Sequence, residues 1–490
     1  MRVVVVQRLV HQQKQYRRHR RWCWMGLLHI STTVSAMIHQ GGGRIAVVGG
    51  GASGIFGSIQ AAAVASSSSA AAAAHNIHNT KVMVLEAGPK TLGKVKISGG
   101  GRCNVLHDTT KPVGDILASY PRGSKELRGL YHKHFTPQQA REWFTKRGVQ
   151  LKTEEDGRMF PTSDSSQTII DTLLEAADDV GVDIQRQRKV LAISRDENTH
   201  KFLVDFKDSS ELFDAVILAT GSAAAGHDLA RNLGHTIVDP VPSLFTLNAK
   251  NQVQDGGLLH GLSGVSVPLA KVTLKVDVEG KKKKQLLSQE GPLLITHNGI
   301  SGPATLRLSA FAAREFHKVN YRGDVAIHWA PELGSADEIA DMLWQCKTLT
   351  PRRAVSTSCP LMLAEQTSAI PRRLWAALVA ASGFDKETTW NEAPKKKVGA
   401  LARMVCDCTM DVTGKSVFKE EFVTAGGVSL KEIDMTTMES RMCPGLFFCG
   451  EVVDVDGVTG GFNFMNCWST GYTAGNGAAA YVAGLRSTGQ

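Results

Sequence analysis

Six residues, Gly49-Gly50-Gly51-Ala52-Ser53-Gly54, constrain the fold more than any other part of this sequence. They follow an apolar run at residues 45–48 and precede an Ala-rich segment that favours a helix. In this G-x-G-x-x-G pattern the first glycine permits a tight turn and the second lets a pyrophosphate approach the backbone. The third lets helix and strand pack closely. The pattern predicts a dinucleotide site at a helix N-terminus, with a simple glycine turn as the alternative.

A carboxylate stands at the end of the next predicted strand, residues 82–85, where Glu86 can accept both hydroxyls of an adenosine ribose. Glu86 comes 32 residues after Gly54, which exceeds the usual spacing of about 20 residues. A Ser- and Ala-rich stretch at residues 61–74 explains the surplus as a low-complexity expansion near the end of the first helix. A glutamate here also disfavours a 2′-phosphate, and hence NADP, as the bound nucleotide.

Two further glycine-rich blocks lie in opposite halves of the sequence. Residues 98–104, SGGGRCN, can line a flat ligand with their backbone, and Arg102 can hold a phosphate or an anionic ring. In residues 449–463, Glu451 can bond the ribityl hydroxyls of a flavin, and a helix start near Gly461 can point N–H groups at the flavin N1–C2=O edge. The alternatives are a flexible surface turn at residues 98–104 and an acidic metal loop at residues 449–463.

Because both blocks must enclose one cofactor, the sequence predicts a domain that is interrupted by an insertion. We expect a targeting segment at residues 1–43, the first part of the cofactor domain at 44–239, an inserted substrate domain at 240–423, and the second part at 424–490. Within the first part, residues 161–180 are predicted to form a helix. In the insertion, apolar and polar residues alternate as they do in antiparallel strands, for example at residues 270–278. Residues 335–400 are predicted to be helical.

Seven segments together resemble the BaiN-like (aminoacetone oxidase-like) family of NAD(P)/FAD-dependent flavoproteins, over nearly all of residues 44–483. They are VVGGGASG, KISGGGRCN, DGRMFP, DAVILATGS, THNGISGPA, VTAGGV and GEVVDVDGVTGGFN. The resemblance implies an α/β fold: a discontinuous, doubly wound, Rossmann-like FAD-binding domain with an inserted β-barrel and a small helical subdomain. The chain departs from the family in its N-terminal segment, in the Ser/Ala expansion and in a shortened stretch at residues 221–227.

The resemblance also implies non-covalent FAD as the cofactor. The residues expected to contact it are Gly49, Gly51, Ala52, Ser53, Gly54, Glu86, Lys94, Gly100, Gly101, Arg102, Val190, Thr220, Gly221, Gly450, Glu451, Asp456, Gly460, Gly461, Phe462 and Asn463.

A bound flavin carries the hydride chemistry itself, so the sequence need not contain a catalytic triad. We expect an FAD-dependent oxidoreductase that moves hydride or electrons between a reduced nicotinamide, or another donor, and an unidentified small molecule. NAD(P)H would bind transiently, because a second match, Gly475-x-Gly477-x-x-Ala480, has no strand before it and indicates helix packing instead.

Three residues are candidates for a catalytic role beside the ring: Cys103, Asn104 and His297. Each also has a structural interpretation, respectively as a packing residue, a loop-capping amide and a hydrogen-bonded structural histidine. No metal site is expected, because the nine cysteines include no C-x-x-C pair and the close pair Cys406/Cys408 has no second pair at ligand spacing.

Two other functions remain open: a flavoprotein that acts on RNA, and a non-enzymatic flavin-dependent sensor or assembly factor. The basic clusters that could serve RNA, Lys281–Lys284 and Lys395–Lys397, are more simply explained as solvated loops. No nucleic-acid partner is therefore expected.

The net charge of +10 comes mainly from the N-terminus. Residues 1–44 contain eight Lys or Arg and no acid, and the rest of the chain has 48 basic and 46 acidic residues. An arginine-rich, acid-free start predicts import into an organelle, with the mitochondrion favoured over the chloroplast. The uncharged run at residues 22–38 is short for a membrane span, so no membrane association is expected. A misassigned start or a membrane anchor are the alternatives.

Overall fold

The computed structural model describes residues 42–71, 80–276, 285–357, 359–362, 369–416 and 423–487. Residues 1–41 of the predicted targeting segment and Lys281–Lys284 lie outside these residues. The strands, numbered β1–β22 in chain order, are Arg44–Val48, Lys81–Leu85, Leu106–His107, Leu151–Thr153, Arg158–Pro161, Asp183–Gln185, Ala192–Arg195, Phe202–Asp205, Ser210–Phe213, Ala215–Leu218, Ile237–Ser243, Leu247–Asn248, Ser266–Val276, Gln285–Ile295, Gly299–Ser301, Gly323–His328, Cys408–Val412, Gly414–Lys415, Val423–Val428, Ile433–Asp434, Glu439–Ser440 and Leu446–Phe448.

The α-helices, numbered α1–α14 in chain order, are Ala52–Ala71, Gly93–Ile97, Val113–Leu117, Leu127–Gly129, Pro137–Thr145, Ser166–Asp179, Ala224–Asn232, Lys250–Val253, Pro303–Phe311, Ala313–Lys318, Ala336–Leu349, Arg372–Ala381, Lys395–Cys406 and Phe462–Ser487. Among the described residues, no helix combines the length and the apolar content that a membrane span requires.

The first core is built on a seven-stranded sheet with the order β20-β21-β22-β10-β1-β2-β6. Five neighbours in this order, β22, β10, β1, β2 and β6, run parallel. The central strands are short apolar runs, as expected for strands covered on both faces; β10, for example, is buried at all four residues. Strand β22 comes from the C-terminal part of the chain and pairs with β10. The predicted discontinuous, doubly wound α/β fold is therefore confirmed.

The insertion begins and ends at one pair of antiparallel strands, β11 and β19. Between them a second seven-stranded sheet forms, with the order β17-β16-β13-β14-β15-β12-β18. All its pairings are antiparallel. Only Thr413 separates its two outermost strands, β17 and β18, so the sheet curves back on itself as the expected barrel does. Helices α11, α12 and α13 share its apolar core and form the helical part.

Helix α6 begins later than the sequence indicates. Residues 158–161 form strand β5, which pairs with β3 and β4, and the helix starts at Ser166 with the Ser165 side chain accepting from the Gln167 N–H. The serine cap sets the start of the helix, while Pro161 ends the preceding strand.

Two long helices, α1 and α14, cross at a stripe of glycines. A Cβ added to Gly471 would lie 2.7 Å from the Ser53 carbonyl oxygen, and a Cβ added to Gly475 would collide with the Gly57 carbonyl oxygen. Beside the crossing, the Phe56 ring lies 5.3 Å from the Trp468 ring. Gly475 is thus a packing residue between helices and not part of a second nucleotide loop.

We expect Gly475→Ala to destabilise the protein, because the added methyl group meets the backbone of α1, and overpacking of this kind costs about 1–3 kcal/mol. Gly484→Ala is the matched control: Gly484 is exposed on the same helix, and a Cβ added there would have no atom within 4 Å. It should leave stability unchanged or raise it by up to about 1 kcal/mol through helix propensity. Denaturant unfolding of both variants measures the difference, and equal stability would show that the helices do not depend on this contact.

Candidate functional site

Four strands of the central sheet deliver the predicted cofactor residues to one edge. Strand β1 leads into Gly49–Gly54, β2 into Glu86, β10 into Thr220 and Gly221, and β22 into Gly450 and Glu451. Because these strands are parallel neighbours, their carboxyl ends lie together, where open α/β sheets bind their ligands.

The glycines of the first block, Gly49–Gly54, have three different roles. Gly49 turns sharply with φ of 110°, and a Cβ there would clash with the backbone at Ala219. Gly54 lies directly against the Gly49 carbonyl oxygen, so any side chain would separate helix from strand. Gly51 has no atom within 4 Å of an added Cβ and therefore offers open backbone to a ligand. Ala52 opens helix α1, whose N-terminal dipole favours an anion here.

Glu86 is fixed by two backbone donors at the end of β2. Its Oε2 accepts from the Gly50 N–H at 2.8 Å, and its Oε1 accepts from the Gly88 N–H at 2.6 Å. The loop after β6 returns to this point, since the Arg188 N–H donates to the Glu86 carbonyl oxygen at 2.8 Å. Val190 is buried in the same loop. The carboxylate oxygens retain lone pairs for further donors, as a ribose acceptor requires.

The second glycine block, residues 98–104, forms a short turn of left-handed backbone. Gly99, Gly100 and Gly101 have φ of 57°, 69° and 87°. A Cβ at Gly99 would lie 2.9 Å from the Phe160 ring, whereas Gly100 and Gly101 have no atom within 4 Å of an added Cβ. The turn thus packs on one side and presents bare backbone on the other, the arrangement that a flat ligand needs.

The second block is in direct contact with the third glycine block, residues 449–463. With its amide oriented to satisfy both bonds, Asn104 donates to the Leu106 carbonyl oxygen at 2.9 Å and accepts from the Gly461 N–H at 3.0 Å. Gly460 and Gly461 have φ of 126° and 93°, and helix α14 begins at the next residue, Phe462. The two halves of the predicted split site therefore meet through backbone and one amide.

Two predicted cofactor residues pair with each other at the edge of the site. The Lys94 Nζ lies 2.6 Å from the Glu451 Oε2, and the other Glu451 oxygen accepts from the Thr424 N–H at 3.2 Å. Just beneath, Gly450 packs against the Ser53 side chain, whose Oγ donates to the Cys449 carbonyl oxygen at 3.3 Å. Glu451 is mostly buried and Lys94 mostly exposed, so the lysine can move aside while the carboxylate stays.

Three predicted cofactor residues have protein partners instead. Asp456 is fully buried, its two oxygens bind the Arg122 guanidinium and the Ser243 hydroxyl, and burial raises its pKa although Arg122 opposes the rise. Arg102 stacks at 4.0 Å on the Phe160 ring and donates to Glu154 at 2.7 Å. The Asn463 amide both donates to and accepts from the backbone of Gly457, at 2.9 Å each way. These side chains shape the loops that carry the site.

The three catalytic candidates differ in accessibility. Cys103 is fully buried, and burial raises the pKa of its thiol to about 12, so it carries no thiolate at neutral pH. The Asn104 amide is occupied by its two backbone partners. His297 is exposed at the turn between β14 and β15, with its Nε2 3.1 Å from the Asn298 amide nitrogen.

Sequence reasoning missed His107 and Arg122, which hold the loops of the third block. His107 lies on β3, bonds Gly460 and stacks on Phe462. Arg122 is the partner of Asp456. Arg122 carries no motif of its own in the sequence. His107 follows Asn104 by three residues, so its closeness to the second block is the only available signal.

The residues at this edge fit FAD. Gly51, at the start of helix α1, leaves space for a pyrophosphate, while Gly100 and Gly101 leave bare backbone for a flat ring system. The Thr220 hydroxyl, by contrast, is turned away from this edge and lies against Gly226 of helix α7. Within the same residues, no group of three His, Cys, Asp or Glu side chains could hold a metal.

The chain is similar to known proteins over most of its length. Residues 43–477 match the family described as HI0933-like protein Rossmann domain. The 3-dehydro-bile acid delta(4,6)-reductase of Clostridium scindens is 27% identical over 89% of this chain and 99% of its own length. The ribosomal RNA dihydrouridine synthase of Escherichia coli is 27% identical over 80% of this chain and 90% of its own length.

Among solved structures, a 3-ketosteroid-delta4-(5alpha)-dehydrogenase from Rhodococcus jostii is similar, with a TM-score of 0.44 and 14% identity over 91% of this chain and 99% of that one. The family match covers almost the whole described chain. The chain belongs to the HI0933-like Rossmann family and is an FAD-dependent oxidoreductase.

Proposed function

We propose that this enzyme reduces a carbon–carbon double bond conjugated to a carbonyl group in a small molecule, using a reduced nicotinamide nucleotide as donor. The observation that carries the proposal is the similarity of most of the chain to two relatives, each 27% identical, whose named activities agree. The activities named for the two relatives both add hydrogen to carbon–carbon double bonds, one in a 3-dehydro-bile acid and one in ribosomal RNA.

Bound FAD supplies the hydride chemistry. The chain supplies the setting: the N-terminal dipole of helix α14 favours negative charge at the start of that helix, and Asn104 holds Gly461 there. The reaction adds a hydride to one carbon of the double bond and a proton to its neighbour, so it needs a proton donor. Cys103 is buried and Asn104 is not acidic, and we therefore propose His297, the exposed candidate, for that role.

A second candidate function is supported by the relatives of Escherichia coli and Haemophilus influenzae, both ribosomal RNA dihydrouridine synthases at 27% identity. Reduction of the uracil ring in RNA is the same addition to a conjugated double bond. Lys395–Lys397, in the first turn of α13, is a basic cluster that could contact a phosphate backbone.

We expect protein purified from Arg44 onward to carry non-covalent FAD. Glu86→Ala should weaken FAD binding by about 1–3 kcal/mol, because the ribose hydroxyls and the Gly50 and Gly88 N–H groups lose their acceptor. Titration of apoprotein with FAD measures the change. Glu175→Ala, at an exposed position on helix α6, is the matched control and should bind FAD normally. Unchanged affinity of Glu86→Ala would mean that Glu86 is not the ribose acceptor.

The substrate class is tested by the colour of the bound flavin. Anaerobic addition of NADH or NADPH should bleach the flavin absorbance, and compounds with a C=C–C=O group should restore it while their saturated analogues do not. A ribosomal RNA transcript is tested in parallel, with dihydrouridine detected by mass spectrometry. Reoxidation by RNA alone would replace the small-molecule proposal by the second candidate, and reoxidation by neither would contradict both.

His297→Asn should slow substrate reduction about 100-fold or more if His297 donates the proton, while FAD affinity stays the same. His260→Asn, another exposed histidine of the insertion, is the control and should react at the rate of the unchanged protein. Equal single-turnover rates for His297→Asn and the unchanged protein would remove His297 from the mechanism.

We further propose that the protein acts in an organelle, with the mitochondrion favoured, because residues 1–43 are rich in arginine and lack acids. A fusion of residues 1–43 to a fluorescent protein should enter that organelle. A variant with its arginines replaced by glutamine should stay in the cytosol. A diffuse signal from the first fusion would contradict the proposal.

A further inference from the structure

His107 occupies a buried position beside the Gly460–Gly461 turn, which directly precedes helix α14. Only 7% of the residue is exposed. Its Nδ1 lies 2.9 Å from the Gly460 carbonyl oxygen, and its Nε2 lies 3.2 Å from the Lys111 Nζ. Its ring stacks on the Phe462 ring at a centroid distance of 4.4 Å. The imidazole therefore contacts this segment twice, through a hydrogen bond at Gly460 and through ring stacking at Phe462.

These two polar partners allow only one protonation state of the ring to satisfy both bonds. A carbonyl oxygen only accepts, so Nδ1 must carry the proton that is donated to Gly460. The Lys111 ammonium group only donates, so Nε2 must be the bare nitrogen that accepts. The neutral Nδ1–H tautomer meets both demands, whereas a doubly protonated ring would direct an N–H at an ammonium group.

The turn itself depends on outside contacts. Gly460 and Gly461 both have positive φ and lack side chains, so their backbone has more conformational freedom than that of any other residue type. Asn104 holds the Gly461 N–H, and His107 holds the Gly460 carbonyl oxygen. Strand β3 and its neighbouring loop thus fix the turn from both sides of one peptide unit.

We propose that His107 is a positioning residue that holds the Gly460–Gly461 turn in the conformation that binds the flavin, and that it does so as a neutral imidazole. The inference rests on FAD binding and is independent of the substrate that is reduced. His107 itself need not touch the cofactor, because it acts through the Gly460 carbonyl oxygen and the Phe462 ring.

The charges around His107 give the inference a pH dependence. Burial lowers the pKa of His107 most, and Lys111 lowers it further, while the bond to Gly460 and the carboxylates of Asp108 and Asp156 oppose the shift. For folding stability, the neutral ring contributes fully above its unfolded pKa of about 6.5, and the contribution is lost as the pH falls from there through the folded-state pKa. FAD binding compares two folded states, so it changes only where the folded protein takes up the proton. FAD should therefore be held less tightly as the pH falls through the lowered folded-state pKa of His107.

The test compares FAD dissociation constants of apoprotein between neutral and mildly acid pH, together with the reduction potential of the bound flavin. His107→Phe keeps an aromatic ring against Phe462 but loses the donor, and should weaken FAD binding about tenfold at neutral pH. His107→Asn keeps a donor near the Nδ1 position, and should restore most of the affinity while removing the dependence on pH. His200→Asn, at an exposed turn, is the control.

Lys111→Met supplies an independent arm, since removing this positive charge should raise the pKa of His107 and move the acid loss of FAD to higher pH. If His107→Phe fails to fold, the dependence of FAD affinity on pH in His107→Asn decides. The inference would be overturned if that dependence were identical to that of the unchanged protein. It would also be overturned if folded His107→Phe kept the FAD affinity and the flavin reduction potential of the unchanged protein. If the unchanged protein binds no FAD, the cofactor assignment fails instead.

Discussion

The close approach of helices α1 and α14 determines most of the cofactor site. The two helices touch through Gly57, Gly471 and Gly475, where no side chain could be accommodated without displacing backbone. Each helix begins at one part of the site, α1 at the first glycine block and α14 at Phe462. Because the helices are packed backbone to backbone, their offset is fixed: Ser53, in the first turn of α1, meets Gly471, nine residues after the start of α14. The partial positive charges of the two N-termini are therefore held at two separate points of the site.

The site is consequently made of backbone more than of side chains. The bare surfaces at Gly51, Gly100 and Gly101 are held by neighbours that are themselves packed, such as Phe160 behind Gly99. Side chains act mainly one step away, since Asn104 and His107 hold the turn before α14. Glu86, the predicted ribose acceptor, is the exception and is itself held by two N–H groups. Because these contacts are present without the cofactor, binding needs to order few additional groups.

Charged groups fix the insertion against the cofactor domain. The buried pair of Arg122 and Asp456 is joined by the Ser243 hydroxyl at the end of β11, and Arg122 also donates to the Ala310 carbonyl oxygen in α9 at 2.8 Å. Nearby, Arg314 lies 3.4 Å from Asp454. Loss of one partner from a buried pair of this kind costs about 3–5 kcal/mol. The pair therefore adds a directional contact to the apolar residues of the insertion, such as Leu244 and Ala310, that pack into the core of the cofactor domain.

The features that the sequence predicted are those that a glycine or a strand end determines locally. The turn at Gly49, the contact at Gly54 and the carboxylate of Glu86 follow from backbone geometry within one strand–helix unit. Partners that arrive from distant parts of the chain could not be foreseen, such as Arg122 for Asp456 or Glu154 for Arg102. The start of α6 was also misplaced, because residues 158–161 are recruited into a sheet by strands that lie elsewhere in the sequence.

The pairing of β10 with β22 has a consequence for biosynthesis. Strand β22 follows β10 by more than 200 residues of chain, so the edge of β10 has no permanent partner while the insertion is being made. An unpaired edge of this kind is a template for pairing with other chains. The insertion can fold on its own core during that interval, whereas the cofactor domain is completed only when the last segment arrives. Protection of one hydrophobic strand during synthesis is thus a requirement that the split domain imposes on the cell.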